Sequence, residues 1–249
     1  PELQKRARAI RELIVSASFD DFLRGEITQA YAHLCKESGG PIDVAVRSSA
    51  TAEALPEASL AGQLEGFFYV SRGRAVLQAC KQCFASLFTE RAISYRTEQG
   101  FEHEDVALSV GVQKMVRADM ACSGVIFTLD PDSGYEHVVL ITGVHGLGEP
   151  LVQGRISPDE FYVFKPTLRE GYRAILAKHL GSKWTKMVYA ESGQATTTTI
   201  RASYPERSRF VLNDDEILTL ARWGCKIEEH FSEKLGRSIP MDIEWAKDG

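Results

Sequence analysis

The stretch Pro240-Met241-Asp242-Ile243-Glu244-Trp245-Ala246 carries two carboxylates two residues apart. In an extended chain Asp242 and Glu244 leave one face about 7 Å apart, while Met241, Ile243 and Trp245 leave the other. Two acids so close repel each other, and a nearby cation relieves the repulsion. Mg2+ suits such a pair, since it takes hard oxygen ligands and often combines one or two carboxylates with phosphate oxygens of a substrate. A solvated strand face is the alternative, because acids are mostly exposed.

A matching cation stands in Val44-Ala45-Val46-Arg47-Ser48-Ser49-Ala50-Thr51. Arg47 offers a planar fork of donors that fits phosphate oxygens, and the small hydroxyl residues after it allow close approach and add donors. An ion pair with Glu53 or Glu57 is the structural alternative. Downstream, Leu60-Ala61-Gly62-Gln63-Leu64-Glu65-Gly66 brings Gly62 and Gly66 into a loop suited to cover phosphates with backbone amides. Gly143, Gly146 and Gly148 resemble a phosphate loop only loosely, having neither a following lysine nor a GxGxxG spacing. A tight turn placing Glu149 and Gln153 competes with that reading. Lys183 and Lys186 either touch an anion or lie in a solvated turn. Cys80 and Cys83 form a CxxC, but within a helical period and without a second metal-type pair, so core packing is expected. The six histidines are scattered, and none has ligand spacing with another.

These residues need elements to hold them. Periodicity predicts helices over 2–17 and 21–37, a strand at 42–47, a polar loop through Gly62, a strand at 67–70 and one long helix over 74–99. Strands follow at 106–116, 123–129, 137–142, 160–165, 172–178 and 185–190. The turn Asp130-Pro131-Asp132-Ser133-Gly134 joins the second and third of these as a hairpin. Asn213 with Glu216 predicts a capping box opening a last helix that ends near Gly236, before the closing acidic strand. Strands in antiparallel runs, without strict βαβ alternation, predict an α+β fold with mixed or antiparallel sheets and flanking helices.

At 249 residues the chain is long enough for one large or two modest cores, and 44% hydrophobic with 25% charged residues is ordinary for a globular protein. The net charge of −5, with no basic stripe, argues against nucleic acid as a partner. No apolar run reaches the ~18 residues of a membrane span. Five scattered cysteines suit free thiols in a reducing compartment, so a cytoplasmic setting is expected.

Seven ordered blocks, from "VAVRSSATAEALPEASLAGQ" through "ASLFTERAISYR", "ALSVGVQKMVRAD", "SGVIFTLD", "GLGEPLVQGRISPDEFYVFKP" and "LGSKWTKMVY" to "PMDIEWAKDG", resemble the nucleotide-binding region of the phosphoenolpyruvate synthase family. The resemblance is strong over 42–249 and looser over the opening helices. It implies an ATP-grasp-like domain, with residues 1–105 part of the first lobe and 106–249 the second lobe with the metal-binding strand. It also implies a reaction in which ATP, pyruvate and water give phosphoenolpyruvate, AMP and phosphate. ATP first phosphorylates a histidine on a swivelling domain, and that histidine serves pyruvate in a barrel domain. By the resemblance Arg47 lies on the transferring phosphates, Gly62 and Gly66 in the covering loop, Gln113 near the base or ribose, and Asp242 with Glu244 at Mg2+.

The swivelling and barrel domains, a glycine-rich opening with a phosphate-binding lysine, and a Gln-x-Arg segment are expected outside this chain, which starts without Met. A homodimer is left open. The family pattern departs at two places: Ala54 stands where an aspartate is usual, and Gly66 where a threonine is common. A rifampin phosphotransferase or pyruvate phosphate dikinase nucleotide domain shares the Arg-Ser start, and the two departures would suit a non-catalytic nucleotide-binding module. The "GSKWTKMVY" and "PMDIEWAKDG" blocks favour the synthase family.

Overall fold

The computed structural model describes residues 2–51, 66–190 and 197–249. Gly62 and Ala54, and the proposed partners Glu53 and Glu57, lie outside these residues. The chain divides into two compact units, Pro1–Met115 and Val116–Gly249.

In the first unit, α1 (Glu2–Ser16) and α2 (Asp21–Glu37) precede β1 (Val44–Ala50) and β2 (Gly66–Val70). Asp20 opens α2 by accepting from the Leu23 amide at 2.8 Å, which satisfies one of the free N–H groups of the first turn. Next come α3 (Gly73–Ser86), α4 (Glu90–Glu98) and β3 (Leu108–Lys114). The single helix expected over 74–99 is therefore two. Thr89 is the reason: its hydroxyl accepts from the Ala92 amide at 3.2 Å and starts a new helix with Glu90 in the first turn. The strand expected at 106–116, after the 105/106 boundary, pairs with β1 and belongs to the first unit.

The sheet has the order β2-β1-β3 and is antiparallel. Its alternation is what matters for function. Val44 and Val46 point into a core with Val76, Ala79, Cys80 and Cys83 of α3 and Tyr31 of α2. The next residue, Arg47, emerges on the other face. Cys80 and Cys83 are thus core residues, and all five cysteines are free thiols.

The second unit begins with a 3-10 turn (Ala118–Met120) and β4 (Cys122–Phe127), β5 (Val138–His145), α5 (Glu149–Val152), β6 (Asp159–Phe164), α6 (Lys165–Arg169) and β7 (Ile175–His179). It continues with β8 (Thr185–Tyr189), β9 (Thr197–Arg201), α7 (Tyr204–Arg207), α8 (Asp214–Leu235) and β10 (Asp242–Lys247). A five-stranded antiparallel sheet runs β10-β4-β5-β6-β7, and β8 pairs with β9. The turn between β4 and β5 closes through Gly134, whose amide donates to Asp130 at 2.8 Å from a φ of 74°.

The α8 helix opens with the expected Asn213–Glu216 capping box and ends at Gly236 in the left-handed conformation. It packs Ile217, Leu218, Ala221 and Cys225 on one face of the sheet. Gly224 lets it come close, since a β carbon there would stand 3.1 Å from Ile126. A buried ion pair between Lys165 and Glu228 ties α6 to α8 at 2.7 Å. The whole is mixed α and β with antiparallel sheets. Among the described residues no helix is long and apolar enough to cross a membrane.

Candidate functional site

Arg47 occupies the central strand of the first unit's sheet, and its neighbours on both sides are glycines. Gly66 faces it in β2 and Gly111 in β3. Directly opposed residues share a face, so no side chain flanks the guanidinium along its row. Arg47 is exposed, and among the described residues its guanidinium has no ion pair or hydrogen bond. Gln113 stands opposite Ala45, two residues from Arg47, and so lies on the same exposed face with Ser49 and Ser109. The structure thus brings Arg47, Gly66 and Gln113 together. Gly111 was missed in the sequence, although a lone glycine inside a strand is a signal of close backbone approach. A cavity of about 470 Å³ in the same unit lies on the helix side, lined by Tyr31, Val76, Val110 and Val112, away from Arg47's face.

In the second unit, Asp242 and Glu244 are exposed on β10, while Ile243 and Trp245 pack against the core. The alternation is pinned by Trp245. Its register partner is Gly124, which in turn pairs with Gly143. A β carbon on Gly124 would fall 2.8 Å from the indole and one on Gly143 3.2 Å, so the two glycines clear the space the ring fills. The indole nitrogen donates to the Thr142 carbonyl at 3.2 Å. Turning Trp245 inward turns Glu244 outward. Among the described residues neither carboxylate has a hydrogen bond or ion pair, and no group of three or more His, Cys, Asp or Glu side chains is placed to hold a metal. The pair fits a divalent cation that draws the rest of its shell from phosphate oxygens and water.

Other candidates have structural tasks. Lys183 is buried and paired with buried Asp159, so it is neither an anion ligand nor a solvated turn residue. Lys186 pairs with Glu206. Burial alone would raise the Glu206 pKa, but Lys186, the Ser203 hydroxyl and the Ser203 amide outweigh it and hold the carboxyl down to about 2. Gly146, at a φ of 83°, abuts the Met187 carbonyl, where a β carbon would come within 2.3 Å. The "GVHGLGE" stretch is therefore the end of β5, a short connection at 146–148 and the start of α5, with Gln153 donating to Glu149 at 3.0 Å.

A sheet with an exposed guanidinium in one unit, and an edge strand with two exposed carboxylates in the other, belong to a chain of mixed α and β structure. By sequence the chain belongs to the family described as pyruvate phosphate dikinase, AMP/ATP-binding domain, whose profile matches residues 1–249. It is 54% identical to a phosphoenolpyruvate synthase of Synechocystis over 99% of its length and 31% of that protein. The identity to the Aquifex aeolicus phosphoenolpyruvate synthase is 53%, over 100% of the chain and 29% of that protein. The Escherichia coli protein of that name is 48% identical, over 100% of the chain and 31% of its own length. The chain thus spans about a third of these relatives.

Proposed function

We propose that this chain is the ATP-binding portion of a phosphoenolpyruvate synthase, of the ATP-grasp type. The match of the whole chain to an AMP/ATP-binding family, together with relatives of that name, carries the reading. In the full protein ATP phosphorylates a histidine on a swivelling domain, and that histidine then serves pyruvate in a barrel domain. The overall products are phosphoenolpyruvate, AMP and phosphate. The setting is cytoplasmic.

Phosphoryl transfer asks a protein mainly for positioning and charge neutralisation. Arg47 supplies a fork of donors to the transferring phosphates from a row that glycines keep clear. Gly62 belongs to the covering loop, Gly66, expected there too, instead opens β2 beside Arg47, and Gln113 contacts the base or ribose. Asp242 and Glu244 hold Mg2+, which when bound neutralises phosphate charge. Their exposure, and the lack of partners among the described residues, support that role.

The test uses full-length protein and radiolabelled ATP. Arg47→Ala or Glu244→Gln should slow histidine phosphorylation at least ~100-fold, the scale of losing one electrostatic contact in a transition state. Wild-type rates in both would overturn the assignment. Turnover of pyruvate to phosphoenolpyruvate without added orthophosphate separates a synthase from a phosphate-requiring dikinase.

A further inference from the structure

The chain enters β10 through Ile239, Pro240 and Met241, and the amides on this approach are held by side-chain hydroxyls. The Ile239 amide donates to the Ser232 hydroxyl of α8 at 3.0 Å. Pro240 has no amide hydrogen to offer. The Met241 amide donates to the Thr128 hydroxyl at 2.7 Å, and the Thr128 amide donates back to the Met241 carbonyl at 3.0 Å. In a regular antiparallel ladder two opposed residues of this kind exchange both bonds between backbones. Here a side chain takes the place of one backbone acceptor, one residue before Asp242 begins the strand.

Thr128 is 0% exposed, so water does not compete for its hydroxyl. Its methyl is held as well, standing 3.5 Å from where a β carbon on Gly224 of α8 would be. A β-branched side chain is stiff about its first torsion, so packing the methyl also aims the hydroxyl. Threonine supplies both parts at once. Valine would keep the packing and lose the acceptor, and serine would do the reverse. Trp245 decides which face the carboxylates leave, but Asp242 is the first residue of a strand paired on one side only. The bond from Thr128 is what holds the backbone next to it.

We propose that Thr128 is a positioning residue for a divalent cation: by holding the Met241 amide it keeps Asp242 at the spacing from Glu244 that a small ion needs. The proposal rests on the reading of Asp242 and Glu244 as the Mg2+ pair, and it adds a selection among cations. Mg2+ demands near-ideal octahedral geometry with oxygens at about 2.0–2.1 Å, whereas Ca2+ accepts more oxygens at longer distances in flexible arrangements. Without the hydroxyl, the Met241 amide must turn to another acceptor, and that move shifts the backbone beside Asp242. A pair that has lost its fixed spacing loses Mg2+ before it loses Ca2+.

The experiment uses full-length protein holding a non-hydrolysable ATP analogue, with Mn2+ as a paramagnetic probe that shares the octahedral oxygen shell of Mg2+. Water-proton relaxation separates protein-bound Mn2+ from the free complex, and Mg2+ and Ca2+ are measured by displacing it. Wild type should bind Mn2+, and Glu244→Gln should weaken that binding. Thr128→Val should weaken Mn2+ and Mg2+ about tenfold, on the scale of a residue that orients metal ligands, and Ca2+ far less. Thr128→Ser should keep wild-type affinity for all three ions while melting at a lower temperature, because only the packed methyl is gone. Wild-type Mg2+ affinity in Thr128→Val, equal losses of Mg2+ and Ca2+, or a loss of Mg2+ in Thr128→Ser as large as in Thr128→Val would overturn the positioning role. Mn2+ binding that is absent from wild type, or unchanged in Glu244→Gln, would overturn the reading of the acid pair itself, and the role of Thr128 with it.

Discussion

Asp159 and Lys183 form an ion pair from which water is excluded, with 0% and 1% of the two residues exposed. One Asp159 oxygen also accepts from the Gly181 amide at 2.8 Å, and the other from the Val211 amide at 2.8 Å. Lys183 in addition donates to the Gly181 carbonyl at 3.1 Å. The pair joins β6, the connection between β7 and β8 and the approach to α8. Removing one partner of a buried pair strands the other and costs about 3–5 kcal/mol. Lys183→Met should lower stability by that amount, read from the equilibrium urea midpoint. An unchanged midpoint would mean that the pair is dispensable.

The clear row around Arg47 gives a second expectation. A β carbon on Gly111 meets nothing nearer than the Arg47 carbonyl at 4.0 Å, so the sheet tolerates a side chain there. Gly111→Val should keep stability within about 1 kcal/mol, since β-branched residues suit strands. The branched side chain would crowd the guanidinium, and Mg-ATP affinity measured by calorimetry on full-length protein should fall about tenfold, equivalent to ~1.4 kcal/mol.

Glycines at two positions should respond in opposite directions. On Gly124 a methyl would fall 1.8 Å from the Thr142 carbonyl oxygen, whereas on Gly25 in α2 it meets nothing within 4 Å. Gly124→Ala should therefore destabilise by at least the ~1–3 kcal/mol of an overpacked core. Gly25→Ala should stabilise by about 0.5–1 kcal/mol through the lower backbone entropy of the unfolded chain. Thermal unfolding of the two variants side by side checks both signs.

Glu206 predicts a pH dependence. Its carboxyl is held at about 2 in the folded chain against an ordinary 4.5. The unfolded state therefore takes up the proton first, and stability rises with pH across this interval. The contribution is fully present above about 4.5 and is lost as pH falls toward about 2. The stability gap between wild type and Glu206→Gln should shrink over that window. A constant gap would show that the Lys186 and Ser203 contacts do not favour the charged form.

Local patterns carried much of this fold. Asn213 and Glu216 announced α8, and the alternation of Asp242 and Glu244 with Ile243 and Trp245 gave β10 its two faces. The Thr89 cap was hidden within a continuous helical period, because a cap competes with periodicity through a single hydrogen bond. Lys183 read as either an anion contact or a solvated turn residue, since its partner lies 24 positions upstream and charge patterning sees only neighbours. For Arg47 the sequence suggested a donor fork, but the two glycines that clear its row come from separate strands and only the ladder register reveals them.

The strand bearing the two acids also has a place in time. β4 through β7 follow one another as a meander, whereas β10 reaches its neighbour only by spanning the intervening chain; the Met241 amide bonds to the Thr128 hydroxyl across 113 positions. Closing so long a loop costs entropy before any contact repays it. Amide protons of β10 should thus gain protection from exchange last during refolding, which makes the acidic strand a reporter of completed assembly in this unit.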